Sequence, residues 1–241
     1  MLVLPTRDCD LCPRLCGFHA QNRRQYPAFH NAPVPSFGSL DSSLLIVGLA
    51  PGLKGANQTG RPFTGDYAGL ILYNALLSNG LAKGNYKEKV DDGLQLLNCR
   101  ITNAVRCVPP ENKPEPAEIK QCNQFLKAEI AAMPNLKIIL SLGLISHNAV
   151  LRALGQKLSA HKFAHGVIHR LQVSGFGLQE GSNVSADARN LKPEDLLLID
   201  SYHCSRYNIN TGTLTPEMFD MVVKQVKRLL QHEIQQTLKI V

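Results

Sequence analysis

The sequence contains no long apolar run. No stretch approaches the roughly 18 consecutive apolar residues of a membrane-spanning helix. The apolar start of the chain stops after four residues at Pro5, with Arg7 and Asp8 just beyond it. A secretory signal needs a longer apolar region, so we expect a cytoplasmic protein with no membrane partner. Because that compartment is reducing, disulfide bonds are not expected among the seven cysteines.

Several nucleotide-binding and catalytic motifs are also missing. The glycine-rich stretch after Gly48 is not a phosphate-binding P-loop, because Leu53 stands where that motif requires its second glycine. The dinucleotide-binding pattern G-x-G-x-x-G is absent, and so is a serine nucleophile elbow. These absences argue against ATP binding, dinucleotide binding and serine hydrolase chemistry.

No internal repeat and no linker divides the chain. We therefore expect one domain over residues 1–241, with residues 1–40 as a cysteine-containing arm packed on it. The content of 44% hydrophobic and 19% charged residues is that of a globular protein. The net charge of +7 is compatible with a polyanionic partner, although alone it is weak support for one.

The most informative stretch runs from residue 44 to 69. It begins with the apolar run Leu44–Val47, which predicts a buried strand, and it ends in a helical pattern after Asp66. The glycine-rich loop between them is far longer than the usual connection of about 2–6 residues. Such loops follow strands at the edge of an α/β sheet where ligands bind, so this loop predicts a binding site.

The remaining apolar stretches alternate with helical patterns. Strands are predicted at 100–107, 136–142 and 196–199, and helices at 115–132, at 146–154 and from 215 onward. This alternation predicts an α/β fold, a three-layer α/β/α sandwich with a central four-stranded parallel sheet. Residues 161–180 predict either a hairpin or an irregular segment.

Polar loops follow three of the four predicted strands. Because carboxyl ends of parallel strands meet at one edge, we expect these loops to form one pocket. The loops offer Asn57, Arg61, Phe63 and Asp66, then Asn103, then His203, Ser205, Arg206 and Tyr207. An aromatic face, an amide and a histidine suit a planar heterocycle. Taken singly, each residue is more readily explained by a structural role.

The cysteines offer two pairs with the spacing of metal ligands. Cys9 and Cys12 form a C-x-x-C pair, and Cys107 and Cys122 form a second pair after the predicted second strand. Four thiolates can hold zinc or a [4Fe-4S] cluster. The alternative is that the second pair consists of small buried hydrophobic side chains. The other three cysteines, Cys16, Cys99 and Cys204, are interpreted as bystanders.

Three histidines, His161, His165 and His169, recur at every fourth position. On a helix this spacing would create a metal-binding face. Gly166 and the β-forming residues after it favour a strand or loop instead, so we interpret these histidines as loop or strand residues and not as metal ligands.

Four segments of the sequence resemble the type-5 (B-type) uracil-DNA glycosylases. They are CDLCPRL at 9–15, GLAP with GANQTGRPFTGD at 48–66, CVPPENKP at 107–114 with Cys122, and HCSRYN with NTGTLT at 203–215. Together they span nearly the whole chain. The resemblance implies an enzyme that removes uracil, and other deaminated bases such as hypoxanthine, from double-stranded DNA. It also favours a [4Fe-4S] cluster over zinc at Cys9, Cys12, Cys107 and Cys122, and we expect a monomer.

The resemblance also implies roles for the pocket residues. Phe63 would stack on the flipped base, Asn103 would read its polar edge, and His203 would donate to the base oxygen that gains charge. The backbone at Gly48–Ala50 would approach the sugar, and Ala50 itself supplies no carboxylate. Asn57 is the predicted water-positioning residue, with Asp66 nearby. The roles left for Ser205, Arg206 and Tyr207 are to grip the phosphates and to wedge into the duplex.

Three positions depart from the family pattern. Gly52 stands where Ala is common, Gln58 where Arg is common, and Cys204 replaces the usual Pro. Two other functions stay open at this point, a non-catalytic iron–sulfur protein that binds DNA damage and a zinc-stabilised binding module.

Overall fold

The computed structural model describes residues 2–172 and 196–238, with seven strands and seven α-helices in those ranges. The strands are β1 (Leu44–Gly48), β2 (Ala82–Lys83), β3 (Gln95–Leu96), β4 (Cys99–Asn103), β5 (Ile138–Leu142), β6 (Ile168–Leu171) and β7 (Leu196–Ser201). The helices are α1 (Pro13–Gln25), α2 (Ala56–Thr59), α3 (Tyr67–Ser78), α4 (Pro116–Ala131), α5 (Leu144–Ala153), α6 (Arg206–Asn210) and α7 (Pro216–Leu238). Two 3₁₀ turns lie at Pro110–Asn112 and Leu158–Ala160.

Five strands form the central sheet in the order β4-β1-β5-β7-β6. The first four are parallel, which confirms the predicted parallel sheet. The fifth, β6, pairs antiparallel to β7 at the edge. It lies in the segment predicted as a hairpin or irregular, and its four residues are too few to show a clear alternation. Residues 173–180 of that segment lie outside the described residues.

An apolar core covers each face of the sheet. Alternate side chains of a strand point to opposite faces, so Leu44 and Ile46 enter the core that contains α3 and α7, whereas Leu45 and Val47 enter the core that contains α4 and α5. All five residues of β1 are buried. The predicted three-layer α/β/α architecture is therefore confirmed.

The amino-terminal arm packs against the second of these cores. Leu15 of α1 is 1% exposed within it, and Arg14 donates two hydrogen bonds of 2.8 Å to the carboxylate of Glu118 on α4. The arm thus joins α1 to the start of α4. Within the described residues, no helix combines the length and the apolar character needed to cross a membrane.

The carboxyl ends of the parallel strands bring the polar loops to one edge. β1 and β4 end side by side, with Gly48 opposite Asn103, and β7 leads directly into the loop that carries His203. The second strand predicted from the sequence corresponds to β4, which ends at Asn103 and not at residue 107. Asn103 therefore lies at the carboxyl end of the parallel strands.

Candidate active site

A cleft opens at this edge of the sheet. It encloses about 250 Å³ of empty space. Its lining residues are Ala50, Pro51, Gly52, Ala56, Phe63, Asp66, Ala68, Asn103 and His203. The structure thus brings together the predicted aromatic ring, amide and histidine from three different loops.

Phe63 forms one wall of the cleft in a conformation that its neighbours impose. Its φ of +53° is unusual for a bulky residue, and the hydroxyl of Tyr86 donates to its carbonyl oxygen at 3.0 Å. The Phe63 ring lies 6.1 Å from the His203 ring, with 29° between their planes. A costly backbone conformation persists only where its surroundings fix it, and such positions cluster at functional sites.

Gly48 makes room for Phe63 and Asn103 to lie side by side. A Cβ atom at Gly48 would stand 2.4 Å from Asn103 Oδ1 and 2.5 Å from the Phe63 ring. Gly48 is the last residue of β1, and Ala50 lines the cleft. That the backbone at Gly48–Ala50 approaches the sugar stays a prediction. What Gly48 contributes is the absence of a side chain.

Asn103 carries an unsatisfied polar atom into the cleft. Its side chain is 4% exposed, and Oδ1 is buried without a hydrogen-bond partner among the described residues. Leaving a buried acceptor unpaired costs about 1–3 kcal/mol. An unpaired amide at the end of a strand, in a cleft, is a group that a bound ligand can satisfy.

His203 faces the Phe63 ring from the last loop. Burial lowers its pKa to about 4, so the imidazole is neutral at pH 7 and carries one N–H. Among the described residues, no hydrogen bond to its ring atoms is found, whereas Asn208 Nδ2 donates to its backbone oxygen at 2.8 Å. The loop backbone is fixed and the ring stays free to donate to a ligand.

Asp66 places one of its carboxylate oxygens in the cleft. Oδ1 accepts from the Gly69 N–H at 2.9 Å and caps α3. Oδ2 points toward the loop, where it would lie 2.6 Å from a Cβ at Gly55 and 3.6 Å from one at Gly52. Burial raises the pKa of Asp66, and the Gly69 N–H acts in the opposite direction. The cleft therefore contains a carboxylate, although position 50 has none.

Asn57 lies behind the cleft wall, and its water-positioning role stays a prediction. The short helix α2 turns its side chain inward, where Nδ2 donates to Asn31 Oδ1 at 2.9 Å and Oδ1 is buried without a partner among the described residues. Asn57 is 0% exposed and is not a lining residue. Of the two polar residues predicted near the water, only Asp66 reaches the cleft.

The loop after His203 presents polar and aromatic groups at the rim. Ser205 caps α6 and accepts from the Asn208 N–H at 3.4 Å. The guanidinium of Arg206 lies 5.3 Å from the centre of the Tyr67 ring, and Tyr207 is 75% exposed. Cys204, in place of the family's proline, is fully buried, so the departure occurs on the core side of the loop.

Arg61, which the sequence placed among the pocket residues, fixes the glycine-rich loop, and this role was not predicted. Arg61 is 3% exposed and makes a two-pronged ion pair with Asp92, with bonds of 2.9 and 2.7 Å. Its Nε donates to Thr64 Oγ1 at 2.8 Å. Although burial acts in the opposite direction, the bonds from Arg61 hold the pKa of Asp92 below its usual range. A loop arginine three residues before a threonine gives no sequence signal for this role.

A second cavity, of about 340 Å³, lies between the amino-terminal arm and α4. All four predicted metal ligands line it: Cys9, Cys12, Cys107 and Cys122. Cys16, interpreted as a bystander, lines it too, and its thiol donates to the Cys9 oxygen at 3.2 Å.

The thiols are spread around this cavity instead of converging on one point. A tetrahedral zinc site holds its sulfurs about 3.8 Å apart. Among the described residues, the only group that converges closely enough for a single ion is formed by other side chains, not by the cysteines. Burial, followed by the neighbouring Cys122, raises the pKa of Cys12 to about 11. The donor set thus fits a positively charged group, because a cation favours the deprotonated form of these thiols.

Comparisons with known proteins agree on one family. The family model described as the uracil DNA glycosylase superfamily matches residues 35–227. A type-5 uracil-DNA glycosylase of Thermus thermophilus is 38% identical over 226 residues, covering 92% of this chain and 93% of that protein. A type-5 enzyme of Mycobacterium bovis is 36% identical, covering 92% and 78%. One of Pyrobaculum aerophilum is 33% identical, covering 90% and 87%.

Proposed function

Because the chain belongs to the uracil-DNA glycosylase superfamily, with type-5 enzymes as relatives over 90–92% of its length, we propose that it excises uracil from DNA. The reaction is hydrolysis of the N-glycosidic bond, the first step of base excision repair. The observation that carries this proposal is the unpaired amide of Asn103 beside the rings of Phe63 and His203. A planar base with a polar edge satisfies the amide and stacks on the ring.

Base recognition follows from the cleft walls. Phe63 offers an aromatic face to a flipped base, and Asn103 offers an acceptor to the ring N–H of uracil. Orientation of a side-chain amide is assigned from its surroundings, but either orientation leaves a buried polar atom for the base edge. The energy recovered by pairing Asn103 offsets part of the few kcal/mol needed to extrude the nucleotide.

Stabilisation of the departing base is the role of His203. As the glycosidic bond breaks, negative charge develops on a carbonyl oxygen of the uracil base. Because the imidazole is already neutral, it donates its N–H to that oxygen with no prior change in its protonation state. Preorganised donors of this kind contribute about 10²–10³-fold to a rate.

Asp66 positions the attacking water. Its Oδ2 lies at the glycine-rich wall, and its Oδ1 is fixed by the Gly69 N–H. An ionised carboxylate orients the water and accepts its proton as the water attacks the sugar. Asp66 is proposed ahead of Asn57, whose Nδ2 is bonded to Asn31.

Exposed residues at the rim of the cleft contact the DNA duplex. Tyr207 is exposed beside His203, and Leu144 and Ile145, 53% and 39% exposed, follow the end of β5 at the same edge of the sheet. Apolar side chains of this kind fill the gap left by an extruded base. That the enzyme acts on double-stranded DNA, as a monomer and in the cytoplasm, stays a prediction.

The decisive experiment measures base release from matched duplexes that contain uracil, hypoxanthine, xanthine or ethenocytosine. We expect release of uracil by the wild-type protein and at least a 100-fold loss in Asn103→Ala. Asn135→Ala is the matched control, because this exposed asparagine lies just before β5, at the opposite edge of the sheet. Tight binding without release of any base would refute the proposal and support the non-catalytic alternative.

We further propose that Cys9, Cys12, Cys107 and Cys122 hold a [4Fe-4S] cluster. The support is the set of four thiols that line one cavity between the amino-terminal arm and α4, together with the resemblance of their segments to those of the type-5 enzymes. Such a cluster supplies electron-transfer capacity or a structural cross-link, and hydrolysis moves no electrons, so its role here is structural. It would tie the amino-terminal arm to α4.

Chemical analysis of the purified protein tests the cluster. We expect equal amounts of iron and inorganic sulfide and a brown visible absorption. Cys9→Ser should lose the iron and lower stability and expression, whereas Cys16→Ser, in the same cavity, should keep it. A colourless protein with zinc in place of iron would refute the cluster, and iron retained in Cys9→Ser would refute the ligand assignment.

A further inference from the structure

A second polar cluster is buried on the sheet face that carries α5, apart from both the cleft and the cysteines. It consists of His147 on α5, His169 on β6 and Asp200 on β7, whose side chains are 1%, 10% and 0% exposed. Ser141 Oγ donates to Asp200 Oδ1 at 2.6 Å. Three separate elements thus direct polar groups at one carboxylate.

The hydrogen bonds of His147 indicate a positive charge at its contact with Asp200. Its Nε2 lies 2.9 Å from the carbonyl oxygen of His161, which can only accept, so Nε2 carries the proton. In the neutral ring, Nδ1 is then a lone pair, and it faces Asp200 Oδ1 at 2.8 Å. Two lone pairs at this distance repel each other. The contact requires a cation between or on these atoms, either an added proton or a metal ion.

His169 directs a second ring nitrogen at the same carboxylate. Its Nε2 lies 3.1 Å from Asp200 Oδ2, and the ligand atoms of His147, His169 and Asp200 all lie within 4.8 Å of one another. An added proton accounts for the His147 contact, and His169 can donate the Nε2 proton of its own neutral ring to Asp200 Oδ2. One metal ion bound between the three side chains would satisfy both rings and the carboxylate together.

We propose that His147 Nδ1, His169 Nε2 and the carboxylate of Asp200 bind one divalent transition-metal ion of the zinc class. Two imidazoles and a carboxylate suit zinc, whereas magnesium and calcium prefer oxygen ligands alone. The carbonyl of His161 accepts from the other ring nitrogen of His147, an arrangement that is usual for metal-bound histidines. The His161 ring packs 5.4 Å from the His169 ring and is not one of the three converging ligands.

Such a site would fasten β6 and α5 to β7. His161 precedes β6 and His169 lies within it, and among the described residues β6 pairs with β7 alone. Asp200 stands three residues before His203 on the same strand and loop. The ion would therefore stabilise the sheet edge next to the cleft without taking part in the chemistry there.

Metal content and cobalt spectroscopy test the site. We expect about one zinc per chain in the purified wild-type protein, counted separately from iron. After dialysis against a chelator, Co²⁺ should restore one site per chain, with visible d–d bands but without the sulfur-to-cobalt charge transfer that thiolate ligands produce. Absence of both the zinc and the cobalt bands in the wild-type protein would overturn the proposal and leave a protonated His147 paired with Asp200.

Matched variants locate the ion. His169→Gln and Asp200→Asn should weaken Co²⁺ binding at least tenfold, while His165→Gln, a change in the same segment, should leave it unaltered. Thermal unfolding confirms that each variant is folded, and Zn²⁺ should raise the melting temperature of the wild-type and His165→Gln proteins only. Cobalt bands with thiolate charge transfer, or unchanged binding in folded His169→Gln, would assign the metal elsewhere and overturn the proposal.

Discussion

The cleft differs from the Arg61–Asp92 ion pair beside it, here called the anchor, in how its buried polar groups are paired. In the anchor, the guanidinium of Arg61 bonds to both oxygens of Asp92 and to Thr64. In the cleft, Asn103 Oδ1 is buried without a partner among the described residues, and Asp66 uses Oδ1 for the cap of α3 while Oδ2 faces the cleft. Buried groups that are fully paired hold structure, and those left unpaired in a cleft serve a ligand.

The two regions are nevertheless linked by three residues of chain. Arg61 precedes Phe63, and its guanidinium lies 5.2, 5.5 and 5.8 Å from the rings of Phe37, Tyr73 and Tyr86. The Tyr86 hydroxyl in turn bonds the Phe63 carbonyl. The anchor therefore helps to hold the Phe63 backbone in its costly conformation. We expect substitutions in the anchor to lower the free energy of unfolding and substitutions in the cleft to lower the rate of base release.

The largest effect on stability is expected from Arg61→Met. Removing one member of a buried ion pair leaves the other charged and unpaired, which costs about 3 kcal/mol. Urea unfolding should show this loss, while base release per folded molecule should fall much less. Lys224→Met is the matched control: it breaks the exposed pair with Asp220 on α7 and should cost a few tenths of a kcal/mol. Equal costs for the two changes would contradict the contrast.

The largest effect on rate is expected from Asp66→Asn. Loss of the carboxylate that accepts the proton of the water should slow single-turnover base release by about 10²–10⁴-fold, with little change in unfolding free energy. The contrast between cleft and anchor would be refuted if Asp66→Asn kept the wild-type rate, or if its loss of activity followed a loss of folded protein.

The pH dependence separates Asp66 from His203. Asp66 must be ionised to act, and burial raises its pKa above the ordinary 3.8, so the wild-type rate should fall as the pH drops through that raised value. His203 must be neutral, and its pKa of about 4 means that it becomes charged only below that pH. Asp66→Asn should therefore lose the acidic limb that comes from the carboxylate and keep the one that comes from His203.

A smaller effect on rate is expected from Gly55→Ala. A Cβ at this position would stand 2.6 Å from Asp66 Oδ2 and push the carboxylate aside, whereas at Gly52 the distance would be an ordinary 3.6 Å. A misplaced catalytic group costs up to about 100-fold, so Gly55→Ala should be clearly slower and Gly52→Ala close to wild type. Equal rates would mean that Asp66 does not act from this position.

The sheet and the meeting of the polar loops could be predicted from the sequence because both depend on apolar strands. Asn103 and His203 stand just beyond such strands, so their arrival at one edge follows from parallel topology. Phe63 lies within the loop, yet its place in a family motif was sufficient to identify it. Strand β6, with four residues, carried too little pattern.

The inward turns of side chains could not be predicted. Asn57 sits on a helix of four residues, which is too short to have a periodic apolar face. His147 and Asp200 lie within apolar stretches, where a single polar residue reveals neither its depth nor its partner. These positions depend on contacts between distant segments, such as Asn57 with Asn31, and a local pattern contains no record of them.

The smallest effect is expected from Tyr207→Ala at the rim of the cleft. If the exposed ring fills the gap left by the extruded base, its loss should slow release from duplex DNA by about tenfold and from single-stranded DNA much less, because only the duplex has a stack to hold open. Met221→Ala is the matched control, since this side chain is 61% exposed on α7. An equal loss on both substrates would assign Tyr207 to backbone binding, and no loss on either would leave Leu144 and Ile145 as the residues that fill the gap.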